Sequence, residues 1–504
     1  MIPANWKNAF GSVAVAGLIF SAPFQVFYET QNERITEGYE ALYFNRFADA
    51  VTRFSRKDGL ADLVGLATAY QERGKFAEVV FADTVEVGCR YFEDVVFPAD
   101  LEKIEASRSV PAAAFLYRAE FLALCGKADQ AAQQLQTFVE RLAASPDARP
   151  LLPAARSWQW ALASSQAGRS TPLPAEASQT EARLAQWAIA QRLSPTSAPP
   201  AIGTSADPKL SAERNQRNLV FALAAEQKPA EALKQLAALD MRAPELEMKV
   251  GRFGLVRLYD PLIPLAAARA YLAMSASFFS EALAASSAGD AEAALLADDL
   301  RASAGYALLL TGDAKAARRV LEAGRSEIAA VYRGLAQVAD GQAALARSQL
   351  TVVAQSASPA VVLHLGRAYW QLGDRQQALA ATEKSWRMLA AVESTQPELY
   401  EKYTQRNAHQ LVRMTLAMND PQAARKAHQR GKKSQQLDSP EHNLPEFLLD
   451  QALLASRSGA REFPTAMGIY SSLESLFSEC HPLADMFQGI YAAAASQGGE
   501  MPKL

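Results

Sequence analysis

The sequence predicts an all-α fold built from consecutive helical hairpins. From Glu29 onward, apolar residues recur three and four positions apart, which is the period of an amphipathic helix. Gly and Pro fall at intervals where helices would end, and we find no strand-like alternation. A short pattern of small, turn-forming and bulky residues also recurs along the chain. We therefore expect essentially no β-sheet.

Length and composition indicate a large folded protein. With 504 residues, the chain suffices for about three ordinary domains or one long stack of repeats. Hydrophobic residues make up 49% and charged residues 21%, which is typical of globular proteins. The net charge of -3 provides no chain-wide positive field, so we expect no binding of nucleic acid. Abundant Ala and the preference for Arg over Lys favour a bacterial source.

The recurring pattern places a small residue seven positions before a turn residue, and then Ala and a bulky residue after the turn. Three of its turn residues, Gly312, Gly341 and Gly373, follow one another closely along the chain. The six predicted turn residues are Asn45, Gly74, Gly126, Gly312, Gly341 and Gly373. Weaker candidates are Gln227-Lys228-Pro229, Ser275 to Ser277, and Asn419-Asp420-Pro421.

This pattern resembles the tetratricopeptide repeat (TPR), most closely over residues 359–386 and 31–54. In the second segment Asn45 replaces Gly, and Asn tolerates the left-handed conformation of such a turn. The resemblance implies a right-handed α-solenoid of TPR-like hairpins, with small residues letting the two helices of a hairpin approach closely. One hairpin cannot bury its apolar face alone, so neighbouring hairpins must stack.

Composition shifts divide the chain into five predicted regions. Proline and serine concentrate between the two helical parts, where one helix from Glu181 to Leu193 interrupts them. The predicted regions are an anchor or signal segment (1–28), a TPR-like region (29–168), a connector with one helix (169–211), a second TPR-like region (212–496) and a flexible tail (497–504).

Residues 9–28 are almost wholly apolar, and a helix of about 20 residues crosses about 30 Å of hydrocarbon. Lys7 precedes this segment, whereas Glu29, Glu33 and Glu37 follow it. Because positive charge stays on the cytoplasmic side, we expect the body to lie in the periplasm. An uncleaved membrane anchor is the favoured interpretation, with a cleaved signal peptide or an apolar helix of a cytoplasmic protein as alternatives.

Motifs for catalysis, nucleotides or metals are absent from the sequence. Among five histidines there is no HExxH, and neither GxGxxG, GxxxxGK[ST] nor GxSxG occurs. Cys89, Cys125 and Cys480 are too few and scattered for a disulfide framework, so the redox compartment stays open. We therefore expect no catalytic residue, no cofactor and no metal.

The resemblance also implies a binding groove lined by the first helix of each hairpin. The predicted protein-binding residues are Tyr306, Leu309, Val331, Leu335, Val338, Leu363, Arg367, Trp370 and Gln371. Only Arg367 resembles the basic residues with which the family clamps acidic C-terminal tails. Either the chain's own helices fill this groove, or it receives a helical or apolar segment of a partner. We interpret the basic cluster from Arg425 to Lys433 as a solvent-exposed helix face, and binding of an acidic partner or an anionic surface is the alternative.

The leading hypothesis is a membrane-anchored scaffold that assembles a complex of the cell envelope by binding other proteins. A periplasmic all-helical enzyme, such as a glycan hydrolase, is an alternative that would require carboxylates converging in a cleft. The spacing of the acidic residues shows no such convergence. A cytoplasmic TPR adaptor is a further alternative, and the sequence leaves the oligomeric state open.

Overall fold

A computed structural model describes residues 33–57, 59–97, 110–146, 148–167, 172–191, 198–250, 254–286, 291–391, 397–432 and 443–496. Within these residues the chain is overwhelmingly helical, as predicted. None of the described helices combines the length and the apolar character that crossing a lipid bilayer requires. The predicted anchor at residues 9–28, the tail at 497–504 and Lys433 lie outside the described residues.

The described part contains twenty-one α-helices and one β-hairpin. The elements of the first half are α1 (Glu33–Tyr43), α2 (Phe47–Phe54), α3 (Leu60–Tyr91), α4 (Ala113–Cys125), α5 (Ala128–Thr137), α6 (Leu152–Ala167), α7 (Gln179–Gln191), α8 (Ala212–Ala225), α9 (Pro229–Ala238), β1 (Leu246–Val250) and β2 (Gly254–Leu258). Those of the second half are α10 (Ile263–Ser286), α11 (Ala291–Thr311), α12 (Ala314–Leu321), α13 (Glu327–Ala339), α14 (Ala343–Val353), α15 (Pro359–Gln371), α16 (Arg375–Ala390), α17 (Pro397–Ala417), α18 (Pro421–Lys432), α19 (Pro445–Ser456), α20 (Phe463–Leu476) and α21 (His481–Ser496).

The chain divides into two compact units, each made of two stretches of sequence. The first unit consists of Met1–Arg73 and Leu272–Leu454, and the second of Gly74–Tyr271 and Ala455–Leu504. The helix predicted inside the connector is present as α7, in the second unit. The region boundaries at 168 and 211 stay a prediction.

Four consecutive hairpins of the first unit form two layers of helices. The first helices of these hairpins, α11, α13, α15 and α17, pack on one another in chain order and are called the A layer. The second helices, α12, α14, α16 and α18, pack against A-layer helices and are called the B layer. This stacking is the arrangement that the repeat pattern predicts, because each hairpin buries its apolar side on its neighbours.

Five of the six predicted turns are confirmed by their backbone conformation. Asn45, Gly126, Gly312, Gly341 and Gly373 all have positive φ angles, between 57° and 90°. The weaker candidates at Gln227 and Asn419 are also turns, each with φ of 59°. A left-handed residue at the end of a helix lets the chain reverse while its amide still bonds a carbonyl of the last turn. Glycine is favoured at such positions because it has no Cβ, and asparagine is the usual second choice.

Two predicted turns are wrong, because Gly74 lies inside α3 and Ser275 to Ser277 lie inside α10. A glycine inside a helix costs about 1 kcal/mol relative to alanine. Continuing α3 past Gly74 buries Phe76 and Val80 completely, and each such side chain contributes about 1.5–3 kcal/mol. The burial gain therefore exceeds the cost of the glycine.

The β-hairpin corrects the expectation of essentially no sheet. β1 and β2 pair antiparallel, with Leu246 opposite Leu258 and Met248 opposite Val256. Met248, Val250 and Val256 are buried, whereas Lys249 is exposed between Met248 and Val250. This is the two-residue alternation of a half-buried sheet, which is present in the sequence but was obscured by the surrounding helical pattern.

Close contacts between small and bulky residues hold the two helices of each hairpin together. A Cβ added to Gly305 would lie 2.4 Å from Leu321 Cγ, and one added to Gly334 would lie 2.7 Å from Leu350 Cδ2. Both leucines are fully buried. The small and bulky positions predicted from the repeat pattern thus contact each other directly.

We expect Ala378→Phe to lower the free energy of unfolding by about 1–3 kcal/mol, because overpacking a tight contact forces neighbouring groups to shift. Ala378 is fully buried, and its carbonyl oxygen would lie 3.1 Å from a Cβ at Gly366. Denaturant unfolding of the variant checks this. Ala380→Phe, on an exposed position of the same helix, is the matched control and should be nearly neutral. Equal stability of the two variants would contradict the repeat register.

Candidate functional site

The predicted groove residues separate into buried and half-exposed groups. The buried ones are Tyr306, Leu309, Val331, Leu335 and Leu363, each at most 5% exposed. The first four belong to one core cluster that the A-layer helices share with residues of α12 and α14, and Leu363 packs with Tyr403 and Leu389. The half-exposed residues are Val338, Arg367, Trp370 and Gln371. Packing within the unit therefore occupies five of the nine predicted side chains.

An aromatic cluster forms around two of the predicted residues, Tyr306 and Arg367. The Tyr306 and Tyr332 rings stack with centroids 4.4 Å apart, and His364 packs edge-on against both rings. Arg367 Nη1 donates a hydrogen bond to the Tyr306 hydroxyl at 2.7 Å. Burial raises the pKa of the Tyr332 phenol well above its ordinary value.

Tyr332 and His364 were missed by reasoning from the sequence, although a signal was available. Each lies two residues before the small residue of its helix, Gly334 or Gly366, so the two occupy the same position in successive repeats. That position is not among the groove positions that the family pattern provides. An aromatic ring that recurs at the same position of successive repeats would have indicated this cluster.

The four half-exposed residues lie toward the C-terminal ends of α13 and α15, and we call them the A-layer patch. The Arg375 guanidinium lies over the Trp370 ring, 3.7 Å from its centroid. Gln371 Oε1 is buried and has no hydrogen-bond partner among the described residues. The patch thus combines an aromatic ring, cations and an unsatisfied acceptor.

The predicted basic cluster is partly a surface and partly core. His428 is buried and stacks on the Phe447 ring with centroids 4.3 Å apart, and burial lowers its pKa. Arg425, Lys426 and Lys432 point to solvent, as does Arg430. Helix α18 therefore has a basic outer face, and His428 is not part of it.

Six charged residues of the second unit converge in a buried charge cluster that spacing in the sequence did not reveal. They are Glu120, Glu181, Arg214, Arg217, Glu245 and Asp260, all at most 7% exposed. Arg214 Nη1 bonds Glu120 at 2.8 Å and Glu181 at 2.9 Å, and its Nε bonds Glu245 at 2.9 Å. Arg217 bonds both Glu181 and Asp260.

The cluster ties three helices to the base of the β-hairpin. Glu120 comes from α4, Glu181 from α7 and both arginines from α8. Glu245 directly precedes β1, and Asp260 follows β2 by two residues, so Arg214 and Arg217 hold the two ends of the hairpin. Breaking a buried ion pair by removing one partner costs about 3–5 kcal/mol. The arginines of α8 are therefore central to the fold of this unit.

The cluster holds four carboxylates against two arginines, which shifts their proton affinities. Burial raises the pKa of Glu120 to about 8, against the opposing effect of Arg214. Burial also raises the pKa of Glu245. Although burial acts in the same direction on Asp260, Arg217 and Arg214 hold its pKa below the ordinary value. Proton uptake by Glu120 thus lessens the excess of negative charge in the folded chain.

Convergent carboxylates are what the glycan hydrolase alternative requires, but this geometry does not present them to a substrate. Glu120 and Glu181 are fully buried and bonded to arginine. A cavity of about 140 Å³ lies beside Asn218. The side-chain amides of Asn215 and Gln216 line it, and both already form hydrogen bonds with Asp207 and Gln235, respectively. The described residues hold no group of His, Cys, Asp or Glu suited to a metal ion. We interpret the cluster as structural.

Replacing Glu120 by Gln should flatten the pH dependence of the free energy of unfolding. Because its folded pKa of about 8 lies above the unfolded value of about 4.3, the folded chain binds more protons between these values. The contribution of Glu120 to the free energy of unfolding is therefore present at low pH and is lost as the pH rises toward 8. Urea unfolding between about pH 5 and 8 checks this. Glu247→Gln, on the exposed side of β1, should retain the slope, and identical slopes for the two variants would contradict the assignment.

Two solved structures align with this chain at low sequence identity. The crystal structure of yeast Tom70 aligns with a TM-score of 0.30 and 14% identity, over 90% of this chain and 87% of that chain. The crystal structure of the APC/C hetero-tetramer Cut9-Hcn1 aligns with a TM-score of 0.31 and 13% identity, over 90% and 95%. No family model matches, and a search of curated proteins gives no match. The left-handed turns and the small-to-bulky contacts show that this chain folds as stacked helical hairpins, as its repeat pattern predicts.

Proposed function

We propose that this chain is a protein-binding scaffold, and that a partner contacts the A-layer patch. The observation that carries the proposal is the exposure of the patch beside a fully packed core. Tyr306, Leu309, Val331 and Leu335 form a rigid frame, whereas Arg367, Trp370 and Gln371 reach the surface. Arg and Trp are the side chains that most often dominate binding energy at protein interfaces.

The chemistry of the patch favours an apolar or helical segment that also carries a hydrogen-bond donor. A buried acceptor without a partner costs about 1–3 kcal/mol, so a partner's donor would recover this free energy if the Gln371 side chain turned its Oε1 outward. Val338 supplies an aliphatic contact from the neighbouring helix. The Trp370 ring already has Arg375 over one face, which leaves its edge and its other face for an apolar side chain.

A location outside the cytoplasm is part of this proposal, with the chain contributing to an envelope complex. Cys89 and Cys125, which spacing gave no reason to pair, form a disulfide between α3 and α4. Disulfides persist in oxidising compartments and are rare in the cytosol. This supports the periplasmic body expected from the charges around residues 9–28. No catalytic step is proposed, since the converging carboxylates of the second unit are buried and paired.

The Arg367→Ala/Trp370→Ala variant should lose at least about tenfold in partner capture, because two interface anchors are removed. A photoreactive residue in place of Gln371 cross-links bound proteins in envelope extracts. The measurement compares the yield of these cross-links between the double variant and the otherwise unaltered chain. Helicity and melting temperature should change little, since both side chains are half-exposed.

Trp160→Ala is the matched control, because Trp160 is also half-buried but lies on α6 of the second unit. It should leave capture at Gln371 unchanged. Unaltered capture in the double variant would place the binding surface elsewhere. Unfolding of the double variant would show that the patch is core.

Protein isolated from its natural compartment should expose one reactive thiol in denaturant, that of Cys480, and three after reduction. Replacing Cys89 and Cys125 by Ser should lower the free energy of unfolding by about 4 kcal/mol, because a loop spanning 36 residues is no longer closed. Thiol titration and urea unfolding measure the two effects. Three reactive thiols before reduction would contradict an oxidising compartment.

A further inference from the structure

The B layer of the first unit is strongly basic, whereas the A layer is neutral. Helices α12, α14, α16 and α18 carry three, one, three and four Lys or Arg residues, against a single acidic residue, Glu383. The four A-layer helices carry six basic and six acidic residues. The two layers belong to the same hairpins, so helix formation by itself does not account for the difference.

Several of these cations contact other residues of the chain. Arg318 pairs with Asp340, Lys384 bonds the Ala354 carbonyl at the end of α14, and Arg430 pairs with Glu383. Five further exposed side chains form no ion pair within the described part of the chain. They are Lys315, Arg319, Arg387, Lys426 and Lys432.

These five cations lie on α12, α16 and α18, and no ion pair of the described fold uses them. Charges are screened over about 8 Å at physiological ionic strength, so a small ion could neutralise only part of the layer. An anionic partner that extends across several helices would meet them together.

Helix α14, between α12 and α16 in chain order, differs from its neighbours by exposing apolar side chains. Leu345 is 49% exposed and Val352 is 81% exposed. The two residues are seven positions apart, which places them on the same side of the helix, two turns from each other. An apolar centre within a charged rim is the usual anatomy of a protein interface.

We propose that the B layer binds an acidic protein segment that inserts apolar side chains against Leu345 and Val352. Nucleic acid fits less well, because the Trp386 ring of α16 packs against Leu444 and Phe447 and has the Arg430 guanidinium 6.0 Å from its centroid. Bases need open aromatic faces on which to stack.

An anionic membrane also fits less well, because surface-bound helices insert aromatic or several apolar residues and this layer offers two aliphatic ones. The surface is distinct from the A-layer patch, so this inference does not depend on the proposed function.

The test measures binding of three probes: a helical peptide of Glu and Leu, a peptide of Glu and Gln with equal charge, and a short DNA duplex. The Glu/Leu peptide should bind most tightly. The Arg319→Glu/Arg387→Glu/Lys426→Glu variant should weaken its binding at least about tenfold, with a smaller salt dependence. Leu345→Ser/Val352→Ser should abolish the preference for the Glu/Leu peptide over the Glu/Gln peptide.

The matched control reverses three exposed cations of the second unit, in the variant Arg242→Glu/Lys249→Glu/Arg461→Glu. It has the same net charge as the B-layer variant and should bind the Glu/Leu peptide as the unaltered chain does. Equal weakening in both triple variants would overturn the proposal, as would tighter binding of DNA or of phosphatidylglycerol vesicles that depends on the same B-layer cations.

The Arg367→Ala/Trp370→Ala variant separates this inference from the proposed function. It should bind the Glu/Leu peptide normally, whatever happens to capture at Gln371. All of the substituted B-layer side chains are exposed, so unchanged melting temperatures should accompany the binding results.

Discussion

The close approach of two helices at a small residue is the constraint on which the repeated hairpins depend. Gly305 and Gly334 leave just enough room for Leu321 and Leu350, and a single added Cβ would collide with each leucine. This contact sets the distance between the layers and hence which residues of the first helix face inward. The A-layer helices also pack on one another, and the two contacts together bury five of the predicted groove residues.

The second unit relies on a different interaction, in which two arginines of one helix hold carboxylates from other elements. Arg214 and Arg217 lie one turn apart on α8, so their guanidinium groups reach the same interior space. A buried cluster of this kind stabilises weakly compared with apolar packing, but it favours one arrangement of its elements. We interpret it as the feature that fixes the β-hairpin against the helices, and its excess of carboxylates makes that unit sensitive to pH.

The two layers of the stacked hairpins provide surfaces of different chemistry. The A layer buries most of its inner side chains and presents only a small patch with Trp370 at its end. The B layer needs only one side of each helix for packing, which leaves the opposite side free to carry charge. The two binding proposals therefore concern different surfaces of the same hairpins.

The sequence by itself determined the helical class, the repeat register and most turns, because these depend on residues close together in the chain. Asn45 and Gly373 were predictable since a reversal after a helix requires a left-handed residue at one defined position. The tertiary structure alone decided that Tyr306 and Leu335 are buried, that Cys89 and Cys125 pair, and that Glu120 meets Arg214 from 94 positions away. Local spacing carries no information on such contacts, because they depend on how separate helices pack and on how much burial offsets a locally unfavourable residue, as at Gly74.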